Sequence, residues 1–183
     1  SVAEKLKCNA RHCDTSSGRR ESVAEHSWRM TLMAMLLEDE FQDTDINKVI
    51  QMCLIHDSGE AFTGDIASFN KTEADAEKEL KIYQEWIEQL PEYQKNQMSS
   101  LLEEMEALET KEAKFARTMD HIQPLMLNAL ADGKSWVEHG VKDIQILKRN
   151  ANTADGSEIL WDYAKKEYFE PNVANGKIQK EEA

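Results

Sequence analysis

Apolar side chains recur along this chain at intervals of three and four residues, the spacing that lines one face of an α-helix. Val23, His26, Met30, Met33, Leu37 and Phe41 share one such stripe, and Ser22 followed by Glu25 has the form of a reciprocal cap at its start. An acidic loop over 39–45 ends this helix, and Asp45 caps a second with Ile46, Val49, Ile50, Cys53 and Leu54 on its apolar face. Gly59 and Gly64 loosen the chain around 60–65. Thr72 with Asp75 opens a helix running toward Leu90, and Pro91 starts the next, anchored by Leu101, Leu102, Met105 and Leu108. Residues 111–130 are periodic through Phe115, Met119, Ile122, Met126 and Leu130, with Pro124 predicted to kink or divide them. Two more helices are predicted over 141–152 and 156–169, and the polar segment from Pro171 is predicted to fray. No segment sustains a two-residue alternation, so no strand is predicted. The pattern describes an all-α bundle of about six to eight helices, a single domain over 1–170 with a tail over 171–183.

Polar residues stand where these stripes call for apolar ones. His26 lies on the inner face of its helix, His56 and Asp57 close the inner face of the next, and Asp120 falls one turn after Ala116. An ionised carboxylate buried alone costs several kcal/mol, so such groups need partners. Two imidazoles and two carboxylates from three helices suit one divalent transition metal (Mn, Co, Zn, Ni or Fe), with nitrogen and oxygen donors shared between them. Taken singly, each has an ordinary alternative as a hydrogen-bonded core histidine or a surface acid. Their conjunction brings the metal level with these alternatives.

Further candidates surround this set. Glu60 comes four residues after His56 and projects to the same side of the helix. Asp65 follows Gly64, whose missing side chain lets the backbone approach a ligand closely. Carboxylates there can take a proton from water or give one to a leaving oxygen, and their ordinary alternatives are a helix-end acid and a turn residue. Arg11, Arg19 and Arg20 precede His26. Guanidinium forks bind phosphate bidentately, though surface charge is the plain alternative, and Arg20 is the one expected to be uninvolved.

Composition narrows the class. Seven glycines and three prolines in 183 residues are few for an all-β, collagenous or disordered chain. No apolar run approaches the ~18 residues of a membrane span. The net charge of −13 argues against a nucleic-acid coat or an anionic membrane surface as partner. The charge is uneven: residues 1–29 hold six basic and four acidic side chains and carry +2, while the other 154 residues carry −15. Three cysteines form no paired framework, and Cys8, His12 and Cys13 lack zinc-finger spacing. With no signal-peptide pattern, the expectation is a reducing, cytoplasmic setting.

The order His26, His56–Asp57, Asp120 resembles that of the HD-domain phosphohydrolase superfamily. The stretches ESVAEHSWRM (21–30) and HDSGEAFTGDI (56–66) are similar to those of the bacterial 5′-deoxynucleotidases and their HD-domain-containing 2 relatives. The resemblance covers about residues 5–130. It implies an HD-domain helical bundle in which His26, His56, Asp57 and Asp120 bind one divalent metal. It also implies Glu60 and Asp65 beside the attacking water and leaving oxygen, Arg11 on phosphate, and a homodimer. Arg11 is followed by His12 where the nucleotidases carry tryptophan. No histidine lies between Asp57 and Asp120, which favours a single metal, and Ala61 after Glu60 departs from the Glu–Asp pair of guanosine-tetraphosphate hydrolases. The implied activity is hydrolysis of a (deoxy)ribonucleoside 5′-monophosphate to nucleoside and phosphate, with Arg11 and Arg19 as substrate-binding candidates. The competing expectations are hydrolysis of another small phosphate ester and a metal-stabilised module that senses nucleotide without turnover.

Overall fold

The computed structural model describes residues 1–67 and 70–181. A short helix, α1 (Val2–Cys8), leads into strands β1 (Ala10–Asp14) and β2 (Arg20–Ser22). Then come α2 (Val23–Leu36), α3 (Ile46–Ile55), the single turn α4 (Glu60–Thr63), α5 (Glu73–Ile87), α6 (Glu92–Ala107) and α7 (Lys111–Leu130). Shorter helices α8 (Lys134–Glu138), α9 (Asp143–Arg149), α10 (Glu158–Ala164) and α11 (Glu170–Ala174) complete the chain, the last two joined by a π-helical turn over Lys165–Phe169. The all-α expectation holds. No helix among the described residues is long and apolar enough to cross a membrane.

Helices begin where local chemistry satisfies their free N–H groups. At α2, the Ser22 hydroxyl accepts from the Glu25 N–H at 3.2 Å while the Glu25 carboxylate accepts from the Ser22 N–H at 2.8 Å. Thr72 and Asp75 repeat this reciprocal pair at α5, and Asp45 accepts from the Lys48 N–H at 3.1 Å at α3. These caps fix the rotation of each helix and therefore which side chains face inward.

Two cores meet along α7. Met30, Ala34, Val49, Met52, Cys53, Phe115 and Met119 pack α2 and α3 against its first half. Ile122, Leu125, Trp136, Ile146, Trp161, Phe169 and Ile178 pack the C-terminal helices against its second half. The valine, leucine, isoleucine, phenylalanine and methionine side chains among these contribute about 1.5–3 kcal/mol each on burial. Gly156 is needed here, because a Cβ on it would stand 2.4 Å from the Lys114 carbonyl oxygen.

Three expectations are corrected. The strands form an antiparallel hairpin that pairs Ala10 with Ser22 and Asp14 with Arg20. Its inward residues include Arg11 and Asp14, so the alternation of burial is carried by charged side chains and is invisible to a hydrophobic pattern. Pro124 does not divide α7. Twelve residues of that helix are buried, and packing on both sides offsets the roughly 3 kcal/mol cost of an interior proline. Nor does the segment after Pro171 fray: Ile178 is fully buried, and Gln179 exchanges backbone hydrogen bonds with Val141 and Asp143. Residues 182–183 of the expected tail lie outside the described residues.

Candidate active site

α2, α3 and α7 bring His26, His56, Asp57 and Asp120 together. The cap at Ser22 turns His26 inward, where it is fully buried. His56 ends α3, and its Nδ1 lies 2.9 Å from the Cys53 carbonyl oxygen. His26 Nδ1 lies 2.7 Å from Gln123 Oε1, and Gln123 Nε2 in turn donates to Glu21 Oε1 at 2.7 Å. Because the amide nitrogen of Gln123 is committed to Glu21, its oxygen faces the imidazole, and His26 Nδ1 is the donor. Both rings therefore carry their proton on Nδ1 when neutral and turn the Nε2 lone pair inward.

The two Nε2 atoms face two carboxylates. Asp57 Oδ2 lies 3.0 Å from His56 Nε2 and 3.8 Å from His26 Nε2, and Asp120 Oδ1 lies 3.2 Å from His26 Nε2 and 3.7 Å from His56 Nε2. One ligand atom each from His26, His56 and Asp57 fits within 4.8 Å of the others. His56 Nε2 is buried with no hydrogen-bond partner. Four acceptors converging without a donor between them, each ring tied back through its other nitrogen, are what a cation site requires. These residues fit a divalent metal.

Without the cation, the electrostatics are unbalanced. Burial disfavours charge on His56, but Asp57 and Asp120 outweigh it and hold the imidazole up to about 10. Burial also opposes ionisation of Asp57 and Asp120; the histidines, with Arg11 beside Asp57 and Arg149 near Asp120, keep both well below the usual carboxylate range. His26, more deeply enclosed and near Arg11, is lowered. The site thus concentrates two negative charges that, between the two imidazoles, only protons oppose, with arginines on the outer sides, and a dication would take the protons' place.

Glu60, Asp65 and Arg11 line the same cavity, of about 340 Å³, as His56, Asp57 and Asp120. Glu60 Oε2 is buried and unpartnered, and burial, then Asp57 and Asp65, push its carboxyl up to about 10. Gly64 before Asp65 has φ +79°, a backbone conformation that favours glycine. Arg11 points from β1 to Asp57 Oδ2 at 3.1 Å and lies 3.6 Å from Glu21 Oε2. Arg19 is not brought to the cavity. It is exposed on the hairpin, and both of its terminal nitrogens engage Glu25. Arg20 likewise pairs outside, with Asp14 and Glu138.

The sequence reading missed Gln123, Lys71, Glu79, Arg117 and Arg149. Gln123 is fully buried at a position one turn beyond Met119, the same out-of-pattern signal that marked His26. Lys71 pairs with Glu79 at 2.8 Å on the cavity wall, and Arg117 and Arg149 each stand 3.8 Å from Asp120 Oδ2.

The sequence pattern of the HD domain matches residues 3–161. The chain belongs to the HD domain family. It is 35% identical to a crystal structure described as a predicted metal-dependent phosphohydrolase from Magnetospirillum magnetotacticum, with a TM-score of 0.87 over 96% of this chain and 90% of that one. It is 38% identical to 5′-deoxynucleotidase HDDC2 of Xenopus laevis, over 60% of this chain and 54% of that protein. The human HDDC2 is 31% identical over 59% of this chain and 53% of its own length. This HD-domain chain therefore spans about half the length of the curated relatives it matches.

Proposed function

We propose that this protein is a metal-dependent phosphomonoesterase that hydrolyses (deoxy)ribonucleoside 5′-monophosphates to nucleoside and phosphate. The observation that carries the reading is the convergence of two imidazole Nε2 atoms and two carboxylates, each imidazole tied back through Nδ1, in a cavity that also holds Glu60 and Asp65. His26, His56, Asp57 and Asp120 hold one divalent transition metal (Mn, Co, Zn, Ni or Fe). When bound, it supplies Lewis acidity toward water and a phosphoryl oxygen. The nucleoside monophosphate as substrate rests on relatives named 5′-deoxynucleotidases.

The chain's own residues divide the remaining work. Glu60 and Asp65 handle protons, one accepting from the attacking water and the other supplying the departing 5′ oxygen. Glu60 is suited to this because its enclosure lets it keep a proton at neutral pH until the local charge changes. Arg11 orients Asp57 and presents a guanidinium to the phosphoryl group. Residues 1–170 act as one catalytic domain with 171–183 as its extension. A homodimer in the cytoplasm completes the reading, supported by Trp28 and Leu36 exposed on α2 and by three free cysteines.

The test is phosphate release from a panel of nucleoside 5′-monophosphates by metal-depleted protein reloaded with Mn, Co, Zn or Mg. Release is expected with at least one transition metal, and Glu60→Gln is expected to lower turnover by about 100-fold or more while keeping the metal. No release with any metal would overturn the reading, and unchanged turnover in Glu60→Gln would remove that residue from the chemistry.

A further inference from the structure

Asp120 has two differently occupied sides. Its Oδ1 faces the histidines, at 3.2 and 3.7 Å. Its Oδ2 faces Arg117, one turn earlier on α7, and Arg149, at the end of α9, both at 3.8 Å. That distance is too long for a hydrogen bond. No hydrogen bond to either guanidinium is found among the described residues, although both side chains are about two-thirds or more buried, at 34% and 26% exposure. Both line the cavity that holds His56, Asp57, Glu60 and Asp65.

The other cations of this cavity are paired more closely with carboxylates, although Arg11 Nε is buried with no hydrogen-bond partner. Arg11 donates to Asp57 at 3.1 Å with Glu21 alongside, and Lys71 pairs with Glu79 at 2.8 Å. Arg117 and Arg149 instead share one carboxylate oxygen, and that carboxylate also serves the histidine side. Two planar forks, each with several N–H donors, therefore converge at the cavity wall with unused hydrogen-bonding capacity and surplus positive charge. A tetrahedral oxyanion offers several acceptors on one small group and is the ligand such a pair best satisfies. A lone carboxylate ligand would duplicate what Asp120 already gives.

We infer that Arg117 and Arg149 form the oxyanion-binding fork of this site and receive the phosphoryl oxygens of the substrate and of the phosphate product. The inference rests on the phosphomonoesterase reading for its substrate but not for its ligand chemistry, since inorganic phosphate alone probes it. It adds two arginines, from α7 and α9, to the phosphoryl contact proposed for Arg11. If the two arginines served only to neutralise Asp120, removing them would leave phosphate affinity unchanged and, by making the cluster more negative, tighten the metal.

The experiment is calorimetric titration of inorganic phosphate into the metal-loaded full chain, for wild type, Arg149→Gln, Arg117→Gln and Arg149→Lys. Metal content and circular dichroism are recorded on each sample. Each glutamine variant is expected to bind phosphate about 10- to 100-fold more weakly, with metal content retained and KM for phosphomonoesters raised more than kcat is lowered. Arg149→Lys, which keeps the charge but loses the fork, is expected to fall between wild type and Arg149→Gln. Phosphate affinity and KM unchanged in both glutamine variants, in protein that retains its metal, would overturn the fork. Arginine-dependent phosphate binding in a wild type that hydrolyses no monophosphate would keep the fork and reject the phosphomonoesterase.

Discussion

Arg11 and Arg19 stand on the two arms of one hairpin region, yet the fold treats them oppositely. Arg11 at the inner end is buried, donates to Asp57 Oδ2 at 3.1 Å and lies 3.6 Å from Glu21. Glu21 continues through Gln123 to His26 Nδ1, so the inner end is wired to two of the four residues of the cluster. Arg19 at the outer end is 60% exposed and pairs with Glu25, itself 40% exposed, and with the Arg20 carbonyl oxygen. Each arginine has a carboxylate, but water surrounds one pair and is excluded from the other. A charge pair excluded from water depends on both members, whereas an exposed pair competes with solvent and salt for a small net gain.

This contrast is most open to attack at Arg11. Arg11→Ala leaves Asp57 and Glu21 buried without their cation and should cost about 3–5 kcal/mol of stability, read from urea denaturation of the metal-free protein. A loss as small as that of Arg19→Ala would erase the distinction between the two ends. Next comes Gln123→Ala, which frees the His26 ring. Metal affinity is expected to fall about 10- to 100-fold in a competition titration with a chelator, and unchanged affinity would cut the link from Glu21 to the cluster. Arg19→Ala should lower the denaturation midpoint far less than Arg11→Ala and leave KM where it is, and a raised KM would bring Arg19 back to the substrate. The smallest effect is on acid stability. The Arg19 guanidinium holds the Glu25 carboxyl down to about 2, against an ordinary value of 4.5. A depressed carboxylate stabilises the fold above its unfolded pKa and loses that contribution as pH falls through the folded one. The difference in melting temperature between wild type and Glu25→Gln should therefore be present above about pH 4.5 and shrink toward pH 2.

The same division explains what could be read from the chain. The caps at Ser22, Asp45 and Thr72 were legible because each satisfies backbone groups within three residues. His26, His56, Asp57 and Asp120 were legible because polar residues interrupt apolar stripes. The hairpin was not, since its inward positions include Arg11 and Asp14, which a hydrophobic pattern places outside. Pro124 misled because propensity sees a missing N–H and not the packing on both sides of α7. Ile178 is one apolar residue in a polar run, buried only because the last turn returns to Val141. Arg117 and Arg149 are 32 positions apart, and only the docking of α9 against α7 makes them neighbours of one carboxylate. Separation along the chain also could not tell Arg11 from Arg19, because the hairpin decides which of them faces in.

The four residues joined by α2, α3 and α7 are proposed to hold one metal. The most direct measurement is metal stoichiometry by elemental analysis after depletion, reloading with Mn, Co or Zn, and desalting, for wild type and His56→Ala. About one ion per chain is expected in wild type and almost none in a folded His56→Ala. No retained metal in wild type, or equal retention in both proteins, would contradict the proposal.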